Sequence, residues 1–312
     1  MLLIWAAARY PAGVVDRLTD LPGLARIRGA LLTWYAAAHR DFPWRRTSDP
    51  YAVLVSEVML QQTQASRVAE RFPAFLARFP TAAILAAAPE AEVLAAWSGL
   101  GYNRRALTLR AAAALVANRG WPTGVADLER LPGIGPYTAR AVASLAFSEP
   151  VGVVDTNVRR WLVRRFGLSP SAGPRDLQRL ADALAATRNK ADAAAWTHAT
   201  MEFGAGICRA RAPLCDACPV AEGCPSRGRE VAVPVARQPP FAGSDRAHRG
   251  VMLRALSTAP GHTLGLRAAR RLVPAPRLER ILDGLERDGL AHRSGGRLRL
   301  GGRAEPTATI GP

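Results

Sequence analysis

All four cysteines of the chain lie within one stretch of seventeen residues, and this clustering constrains the fold more than any other feature. Cys208, Cys215, Cys218 and Cys224 follow the spacing C-x6-C-x2-C-x5-C. Secreted domains use cysteines that are spread along the chain, so two disulfides inside this one loop are the weaker alternative. Four thiolates this close in sequence predict a single metal centre, either a zinc ion or an iron–sulfur cluster. Because thiolate ligands are easily oxidised, the centre also indicates a reducing, cytoplasmic compartment.

The composition restricts the function classes. With 312 residues, of which 49% are hydrophobic, the chain is long enough for two modules and too apolar for bulk disorder. No uninterrupted apolar run approaches the roughly 20 residues of a membrane helix, so a membrane-spanning protein is excluded. The formal net charge of +17 rests almost wholly on arginine, since Lys190 is the only lysine. Such a charge indicates a polyanionic partner, of which nucleic acid is the simplest.

The first two thirds of the chain are expected to be all-α. Apolar residues recur three and four positions apart over residues 26–228, and the alternating pattern of strands is nearly absent there. The cysteine loop, residues 208–224, ends this domain. Before it lies an apolar segment, residues 1–25, that has no leading positive cluster and is interrupted at Pro11. We interpret that segment as an N-terminal extension rather than a signal peptide.

A second, smaller module is predicted after the cysteine loop. Residues 229–246 carry several prolines and no helical period, which is typical of a linker. Residues 247–301 predict three helices and then a β-hairpin turned at Gly295-Gly296, the order of a winged helix, and a short tail (302–312) follows. The arginines of the third helix and hairpin are compatible with DNA binding, and a protein contact is an equally supported alternative. These arginines are Arg277, Arg280, Arg287, Arg293, Arg297 and Arg299.

A glycine-rich turn between two helical runs indicates an anion site. The segment reads Leu131-Pro-Gly-Ile-Gly-Pro-Tyr-Thr-Ala139, in which Gly133 and Gly135 permit a tight turn and a close approach of the backbone to a ligand. The following helix presents the free N–H groups of its first turn to an anion. We interpret the ligand as a DNA phosphate, a contact that fixes register without reading sequence.

Two acidic residues stand out by their surroundings. Glu57 lies in the otherwise apolar run of residues 51–63, where burial would favour the protonated carboxyl group and suit it to general acid catalysis. The alternative is an exposed, solvating glutamate. Asp155 follows the apolar residues 151–154 at the head of a predicted helix, where an aspartate is also a common N-cap. Capping and catalysis can coexist at this residue.

Five motifs occur together and in one order. They are WRRTSDPYAVLVSEVMLQQTQ, GLGYNRRA, LPGIGPYTARA, VVDTNVRR and the cysteine loop. Over residues 28–228 this set resembles the helix-hairpin-helix DNA glycosylases of base excision repair, and within them it is most similar to the MutY-type adenine glycosylases. The resemblance implies two all-helical lobes, a [4Fe–4S] cluster, and double-stranded DNA whose target base is flipped into a pocket. We expect the protein to act as a monomer.

The resemblance also implies roles for single residues. Glu57 matches the general acid that protonates the leaving base, and Asp155 matches the aspartate that offsets positive charge at the sugar. Asn157 matches the asparagine that links the two acids, Arg45 matches an arginine near the catalytic water, and Tyr137 matches a residue lining the pocket. The residues matched to DNA contact are Gln61, Gln62, Tyr102, Leu131, Gly133, Gly135 and Thr138. The residues matched to cluster ligation are Cys208, Cys215, Cys218 and Cys224. Arg209 and Arg211 of the same loop match residues that contact phosphate.

Tyr137 predicts which reaction follows base removal. In relatives similar to endonuclease III this position is a lysine, which forms a Schiff base with the sugar and permits strand cleavage. Tyrosine forms no Schiff base, and Lys190 lies far along the chain from the hairpin. The resemblance therefore implies a monofunctional hydrolase of N-glycosyl bonds that leaves an abasic site, without strong AP-lyase activity.

The identity of the excised base is less constrained. Residues 60–63, LQQT, favour adenine opposite 8-oxoguanine or guanine. Asn103 and Thr156 depart from the MutY-type pattern, and the residues after the cluster do not resemble the NUDIX-like domain that recognises 8-oxoguanine there. The alternative is a mispaired or modified pyrimidine, such as thymine or uracil opposite guanine, or 5-hydroxymethyluracil. A non-catalytic iron–sulfur DNA-binding regulator is a remote alternative, because a regulator needs none of the matched catalytic residues.

Overall fold

A computed structural model describes most of the chain, and the described residues are 23–186, 190, 192–229, 231–234 and 239–302. The predicted extension lies outside them except for its last three residues, which already belong to a helix that begins at Gly23. The predicted tail lies outside them except for Gly302. No helix within the described ranges combines the length and the apolar character that a membrane span requires.

Helices dominate this part of the chain, as the apolar periodicity predicts. A 3₁₀ helix at Pro43–Arg46 precedes the second α-helix. The α-helices are α1 (Gly23–Ala38), α2 (Pro50–Leu60), α3 (Ala65–Arg78), α4 (Ala82–Ala87), α5 (Glu90–Ala96), α6 (Arg104–Arg119), α7 (Val125–Leu128), α8 (Pro136–Phe147), α9 (Thr156–Phe166), α10 (Pro174–Ala185), α11 (Asp192–Gly206), α12 (Asp245–Thr258), α13 (Leu266–Leu272) and α14 (Ala275–Arg287). The strands are β1 (Thr263–Gly265), β2 (Ala291–Ser294) and β3 (Arg297–Leu300).

The strands form one small antiparallel sheet in the order β1-β3-β2. The structure contains the predicted hairpin, with Gly295 and Gly296 between β2 and β3. The sequence predicts the second helix of this region over residues 264–272, and that start was wrong, because residues 263–265 form β1 and pair with β3, and the helix begins only at Leu266. Three residues are too few to show alternation in a sequence, so this strand owes its conformation to pairing with β3.

The chain divides into two compact units. The first unit comprises residues 1–53, 123–130 and 134–237, and the second comprises residues 54–122, 131–133 and 238–312. The residues of the predicted winged-helix module therefore cluster with residues 54–122, although the sequence suggested a separate module joined by a linker.

The core of the first unit is built around Trp161 in α9. The Trp161 ring meets the edges of Trp196 and Phe203 from α11, with centroid distances of 6.3 and 5.9 Å. Helix α11 also packs against α1 and α8. Helix α9 ends at Gly167, which takes the left-handed conformation (φ 65°) that closes a helix at low cost in a glycine. This packing fixes the position of the residues at the start of α9.

In the second unit, residues 239–302 fold against α5. Helix α12 and strand β3 both contact α5, and the Gly302 N–H donates a hydrogen bond to Glu90 Oε2 at 3.0 Å. Helix α12 begins inside the predicted linker, because Ser244 caps it by accepting a hydrogen bond from the Ala247 N–H. Residues 239–302 therefore pack on α5, a helix that follows Glu57 in the sequence.

Candidate active site and cysteine centre

Asp155 is the N-cap of α9 in the first unit. Its Oδ1 accepts a hydrogen bond from the Val158 N–H at 2.6 Å, and its Oδ2 accepts one from Asn157 Nδ2 at 2.9 Å. Burial raises the pKa of Asp155, and the hydrogen bonds from Val158 and Asn157 offset only part of that effect. The predicted N-cap is confirmed, and both oxygens of the carboxylate are held in a fixed orientation.

Arg160 extends this arrangement toward the cysteine loop. Its Nη2 donates to Asn157 Oδ1 at 2.9 Å and to the Gly204 carbonyl at 2.6 Å, and its Nε donates to the Cys208 carbonyl at 2.8 Å. Burial lowers the pKa of Arg160. A continuous chain of hydrogen bonds thus runs from Asp155 through Asn157 and Arg160 to the first of the four cysteines.

A second buried carboxylate, Glu202 in α11, lies in the same unit. Arg40 Nε donates to Glu202 Oε1 at 2.6 Å, and Arg45 Nη2 donates to Oε2 at 2.7 Å. Burial by itself would raise the pKa of Glu202, but the hydrogen bonds from these arginines hold it below its ordinary value. Burial and the positive charge of Arg45 lower the pKa of His198 to about 3, so this imidazole is neutral. In the structure, Arg45 therefore forms an ion pair with Glu202. The role of Arg45 beside a catalytic water stays a prediction.

Glu57 belongs to the second unit, where it lies in α2. Its exposed fraction is 3%, and its neighbours Ser56 and Val58 are also buried. The apolar run around it therefore predicted its burial correctly, and the alternative of an exposed, solvating glutamate was wrong.

The end of α2 is held by Arg105 of α6. The Arg105 guanidinium donates to the Val58 carbonyl at 2.6 Å, to the Gln61 carbonyl at 2.5 Å and to the Gly101 carbonyl at 3.0 Å. It also lies 5.5 Å from the centroid of the Trp97 ring. Burial lowers the pKa of Arg105 to about 10, so the side chain is charged at neutral pH. The carbonyl groups at the end of a helix carry partial negative charge, which makes this cation a suitable partner.

Gln62 and Tyr102, two predicted DNA-contacting residues, share an uncommon backbone conformation. Their φ angles are 54° and 47°, in the left-handed region that residues other than glycine seldom adopt. Arg105 lies between the segments that carry them, because it binds the carbonyl next to Gln62 and its guanidinium lies 5.4 Å from the centroid of the Tyr102 ring. Strain of this kind is often found in functional loops. Tyr102 is also 41% exposed, so its side chain is accessible to a ligand.

The predicted phosphate-binding turn is divided between the two units. In the second unit, Gly133 has a φ of 74°, and a Cβ built on it would lie 2.7 Å from Thr108 Oγ1, so only glycine fits. In the first unit, Gly135 is the N-cap of α8 and Tyr137 is half-buried in the first turn of that helix. Leu131 and Thr138 are buried, and their contact with DNA stays a prediction.

The four cysteines surround one cavity in the first unit. All four are free thiols in this structure, and they line one open cavity together with Trp161. Within the described ranges, no three Cys, His, Asp or Glu side chains are close enough to share a single metal ion. Arg164 organises the loop, donating to the Arg209 carbonyl at 2.5 Å and to the Ala210 carbonyl at 2.9 Å. The four thiols therefore line one cavity, and the group that they hold stays a prediction.

Comparison with known proteins identifies the family. The family described as "HhH-GPD superfamily base excision DNA repair protein" matches residues 55–186 of this chain. An adenine DNA glycosylase of Mycolicibacterium smegmatis is 43% identical over 288 residues, which cover 88% of this chain and 96% of that protein. The chain belongs to the HhH-GPD superfamily. The human adenine DNA glycosylase is 40% identical to this HhH-GPD protein over 226 residues, covering 67% of this chain and 41% of the human protein.

Solved structures show the same fold. A thermostable thymine-DNA glycosylase has a TM-score of 0.60 and 30% identity, and the match covers 65% of this HhH-GPD protein and 97% of that chain. An endonuclease III in a non-covalent DNA complex has a TM-score of 0.55 and 21% identity, with 68% of this chain and 95% of that chain covered. At such low identity the second likeness concerns the fold alone.

Sequence reasoning missed four charged residues of this HhH-GPD protein that the structure places beside the matched ones. They are Arg40, Arg105, Arg160 and Glu202. Arg105, Arg160 and Glu202 are at least partly buried, which is costly for a charge unless it has a partner, and the exposed Arg40 is a partner of Glu202. Arg105 and Arg160 were inside the quoted motifs GLGYNRRA and VVDTNVRR. A charged residue inside a helix that is otherwise buried was the available signal.

Arg105→Gln is expected to slow single-turnover base release about 10-fold, because buried hydrogen bonds from a charged group are each worth about 1.5–3 kcal/mol. Loss of these bonds would release Gln61 and Gly101 together. Arg105→Lys should recover only part of the rate, since an ammonium group cannot reach both segments at once. Single-turnover kinetics and thermal melting measure the two effects. Arg119→Gln, an exposed substitution in the same helix, is the control, and equal rates for the two Gln variants would show that Arg105 has no positioning role.

Gly204→Ala should disturb Asp155 from a distance. A Cβ built on Gly204 would lie 2.7 Å from the Asn157 carbonyl oxygen, which is main chain and cannot swing aside. We expect Asn157 to shift and base release to slow by about 10-fold, since small displacements near a reacting centre cost up to about 100-fold. Gly206→Ala in the same helix is the matched control, because its added methyl group meets nothing within 4 Å. Identical rates for the two alanine variants would contradict the close packing.

Proposed function

We propose that this HhH-GPD protein is a DNA glycosylase that hydrolyses the N-glycosidic bond of adenine mispaired with 8-oxoguanine or guanine in double-stranded DNA. The observation that carries the proposal is the 43% identity to the Mycolicibacterium smegmatis adenine DNA glycosylase, over 88% of this chain and 96% of the relative. An alignment of 288 residues is longer than the predicted domain of residues 26–228, so the similarity extends into the C-terminal residues. Their lack of resemblance to a NUDIX-like domain is therefore no argument against adenine.

Thymine opposite guanine is the second candidate substrate. It is favoured by the likeness to a thermostable thymine-DNA glycosylase at 30% identity. That likeness covers 65% of the chain, a smaller share at a lower identity than the match to the mycobacterial adenine glycosylase. Adenine is consequently the better supported base.

Asp155 is the residue that we assign to the sugar. As the base departs, the anomeric carbon becomes positively charged, and a carboxylate that is already oriented stabilises this charge without reorganisation. Asn157 and the Val158 N–H supply that orientation, and Arg160 in turn holds Asn157. The departing base needs a proton, and we assign its donation to Glu57, whose burial in α2 favours the protonated carboxyl group over the carboxylate.

The cysteine centre fits a [4Fe–4S] cluster better than a single zinc ion. Zinc would require four sulfur atoms at about 2.3 Å from one point, whereas among the described residues no three of the thiols that line this cavity are close enough to share one ion. When bound, the cluster would join four points of the loop and do no chemistry on the base.

Arg211 is exposed and free to contact a phosphate, while Arg209 donates to the Ala212 carbonyl at 2.9 Å and so braces the loop itself.

A panel of duplexes tests the proposal. Each duplex carries one target pair: adenine opposite 8-oxoguanine, guanine or thymine, and thymine or uracil opposite guanine. After incubation under single-turnover conditions, alkali and heat cut the strand wherever a base is missing. Release of adenine from the 8-oxoguanine and guanine pairs, with no release opposite thymine, is the expected result. Faster release of thymine or uracil would show that a pyrimidine, and not adenine, is the substrate. Release of no base would favour the non-catalytic regulator.

Tyr137 predicts that no covalent adduct forms with the sugar. Incubation of enzyme and substrate duplex with borohydride should trap less than a few per cent of the protein on DNA, because a phenol cannot form the Schiff base that borohydride reduces. Denaturing gel electrophoresis measures the trapped fraction. The variant Tyr137→Lys is the positive control, since it supplies an amine at the same position. Strong trapping by the unaltered protein would contradict the monofunctional assignment.

A further inference from the structure

The residues 239–302 contain far more positive than negative charge. They carry twelve arginines and five carboxylates. Four of the arginines bind all five carboxylates in ion pairs within these same residues. The carboxylates are Asp245, Glu279, Asp283, Glu286 and Asp288, and their partners are Arg249, Arg277, Arg280 and Arg293. Within the described residues, no carboxylate of this segment is left over to neutralise the remaining arginines.

Helix α14, the third helix of the segment, is balanced in charge. Arg280 donates to both oxygens of Asp245, at 2.8 and 3.0 Å. Arg293 of the hairpin donates to Asp283 and Glu286, each at 2.6 Å, and so lies against α14. The exposed side of α14 therefore presents carboxylates as well as arginines. This arrangement disfavours α14 as a DNA-contacting helix, because exposed carboxylates repel phosphates.

Five of the eight remaining arginines lie on α13 and β3. Arg267, Arg270 and Arg271 are exposed, and at 3.6 residues per turn they fall within an arc of about 100° on α13. On β3, Arg297 and Arg299 point outward, while Leu298 and Leu300 are buried beneath them. None of the five arginines has an ion-pair partner among the described residues. We call these five residues the α13–β3 surface.

The two parts of this surface are joined at the turn between β2 and β3. The Leu266 N–H at the start of α13 donates to the Gly296 carbonyl at 3.1 Å, and Gly265 pairs with Arg297 across the sheet. The first turn of α13, which carries Arg267, therefore lies beside the strand that carries Arg297. The two groups of arginines lie on adjoining elements of the same unit.

Helix α6 connects this segment to the glycine-rich turn. A Cβ built on Gly289, between α14 and β2, would lie 3.9 Å from Leu107 Cδ1. One built on Gly133, in the predicted phosphate-binding turn, would lie 2.7 Å from the Oγ1 atom of the next residue, Thr108. Consecutive residues of one helix thus support the C-terminal segment and the turn, which brings both within the reach of one bound duplex.

We propose that the α13–β3 surface binds the phosphate backbone of duplex DNA, and that it does so in place of the third helix, α14. The proposal rests on the proposed function, because it assumes that the protein binds duplex DNA. Protein interfaces depend on buried aromatic or large apolar anchors, and none of the exposed large apolar residues in the described structure lies on α13 or β3. Five unpaired guanidinium groups without such an anchor fit a polyanion whose sequence is not read.

Two pairs of substitutions that remove equal charge test this surface in the full-length holoprotein. The first is Arg297→Gln with Arg299→Gln, and the second, on α14, is Arg280→Gln with Arg287→Gln. Affinity for an undamaged duplex is measured from about 50 to 200 mM salt, where each lost phosphate contact reduces the slope of log K against log salt by about 0.9. We expect the β3 pair to lower the slope by about 2 and the affinity by about 10-fold, and the α14 pair to change neither. Adding the three α13 substitutions should lower the slope further.

The outcomes separate this proposal from the proposed function. Undamaged duplex requires no base release, so the binding result stands even if adenine is not the substrate. Single-turnover release at saturating enzyme should be unchanged in all variants, and thermal melting verifies that these exposed substitutions leave the fold intact. Equal or greater loss from the α14 pair would overturn the proposal. Unchanged affinity of the β3 pair would also overturn it and would assign the surface to another partner, such as an acidic protein.

Discussion

Asparagine in place of Asp155 is expected to slow single-turnover base release about 1000-fold or more, while affinity for duplex DNA changes little. Loss of one neutral hydrogen-bond donor from a charge-stabilising site already costs about 100- to 1000-fold, and Asp155 contributes a full charge. Asparagine is also a good N-cap, so α9 should still form. Rapid-quench kinetics and a binding assay on the same duplex measure the two effects.

The pH profile gives Asp155→Asn a second readout. Burial raises the pKa of Asp155, and only the ionised form can stabilise a cationic sugar. Activity of the unaltered protein should therefore rise with pH through a range above that of an exposed aspartate. The Asn variant should lack this acid limb, whereas Asp176→Asn, an exposed control in α10, should keep it. If the Asp155→Asn variant keeps the acid limb, that limb arises from the ionisation of a group other than Asp155.

Glu57→Gln is expected to slow base release about 100- to 10,000-fold, the range that general acid catalysis typically contributes. Glutamine has nearly the same shape as glutamate, and Glu57 is 3% exposed, so the substitution removes the proton donor without creating a cavity. Single-turnover kinetics measure the loss of rate, and a binding assay on the same duplex measures whether affinity is retained.

Glu70→Gln provides the matched control, because Glu70 is an exposed residue of α3 in the same unit. It should retain both the rate of base release and the DNA affinity of the unaltered protein. A variant at Glu57 that binds DNA normally and releases the base at an unaltered rate would remove Glu57 from the mechanism. The leaving base would then have to take its proton from solvent.

The helical architecture was accessible from the sequence because apolar periodicity sets helices directly. Asp155 as an N-cap and the glycines of the 295–296 turn were predicted for the same reason, since each depends on local conformation. Strand β1 and the grouping of residues 239–302 with residues 54–122 were not predicted. Both depend on contacts between residues far apart in sequence, such as Thr263 with Arg299 and Gly302 with Glu90.

The candidate site divides in a similar way. Glu57, Asp155 and the cysteines could be found because each lies in a motif with its own chemistry. Arg105 and Glu202 could not, because their roles arise from partners that lie more than forty residues away: Arg105 from the Val58 and Gln61 carbonyls, and Glu202 from Arg40 and Arg45. A buried ionic network is a property of the packed structure, and a single sequence shows only one member of it at a time.

The packing of the C-terminal residues on α5 determines how this protein can be shortened for experiments. A truncation that ends before residue 239 would remove α12 and β3 from α5, whose Val93 and Leu94 are almost fully buried. Newly exposed apolar side chains cost stability and promote aggregation. A truncated protein that loses activity would therefore report damage to its remaining helices, so deletion is a poor assay for DNA recognition by the removed residues.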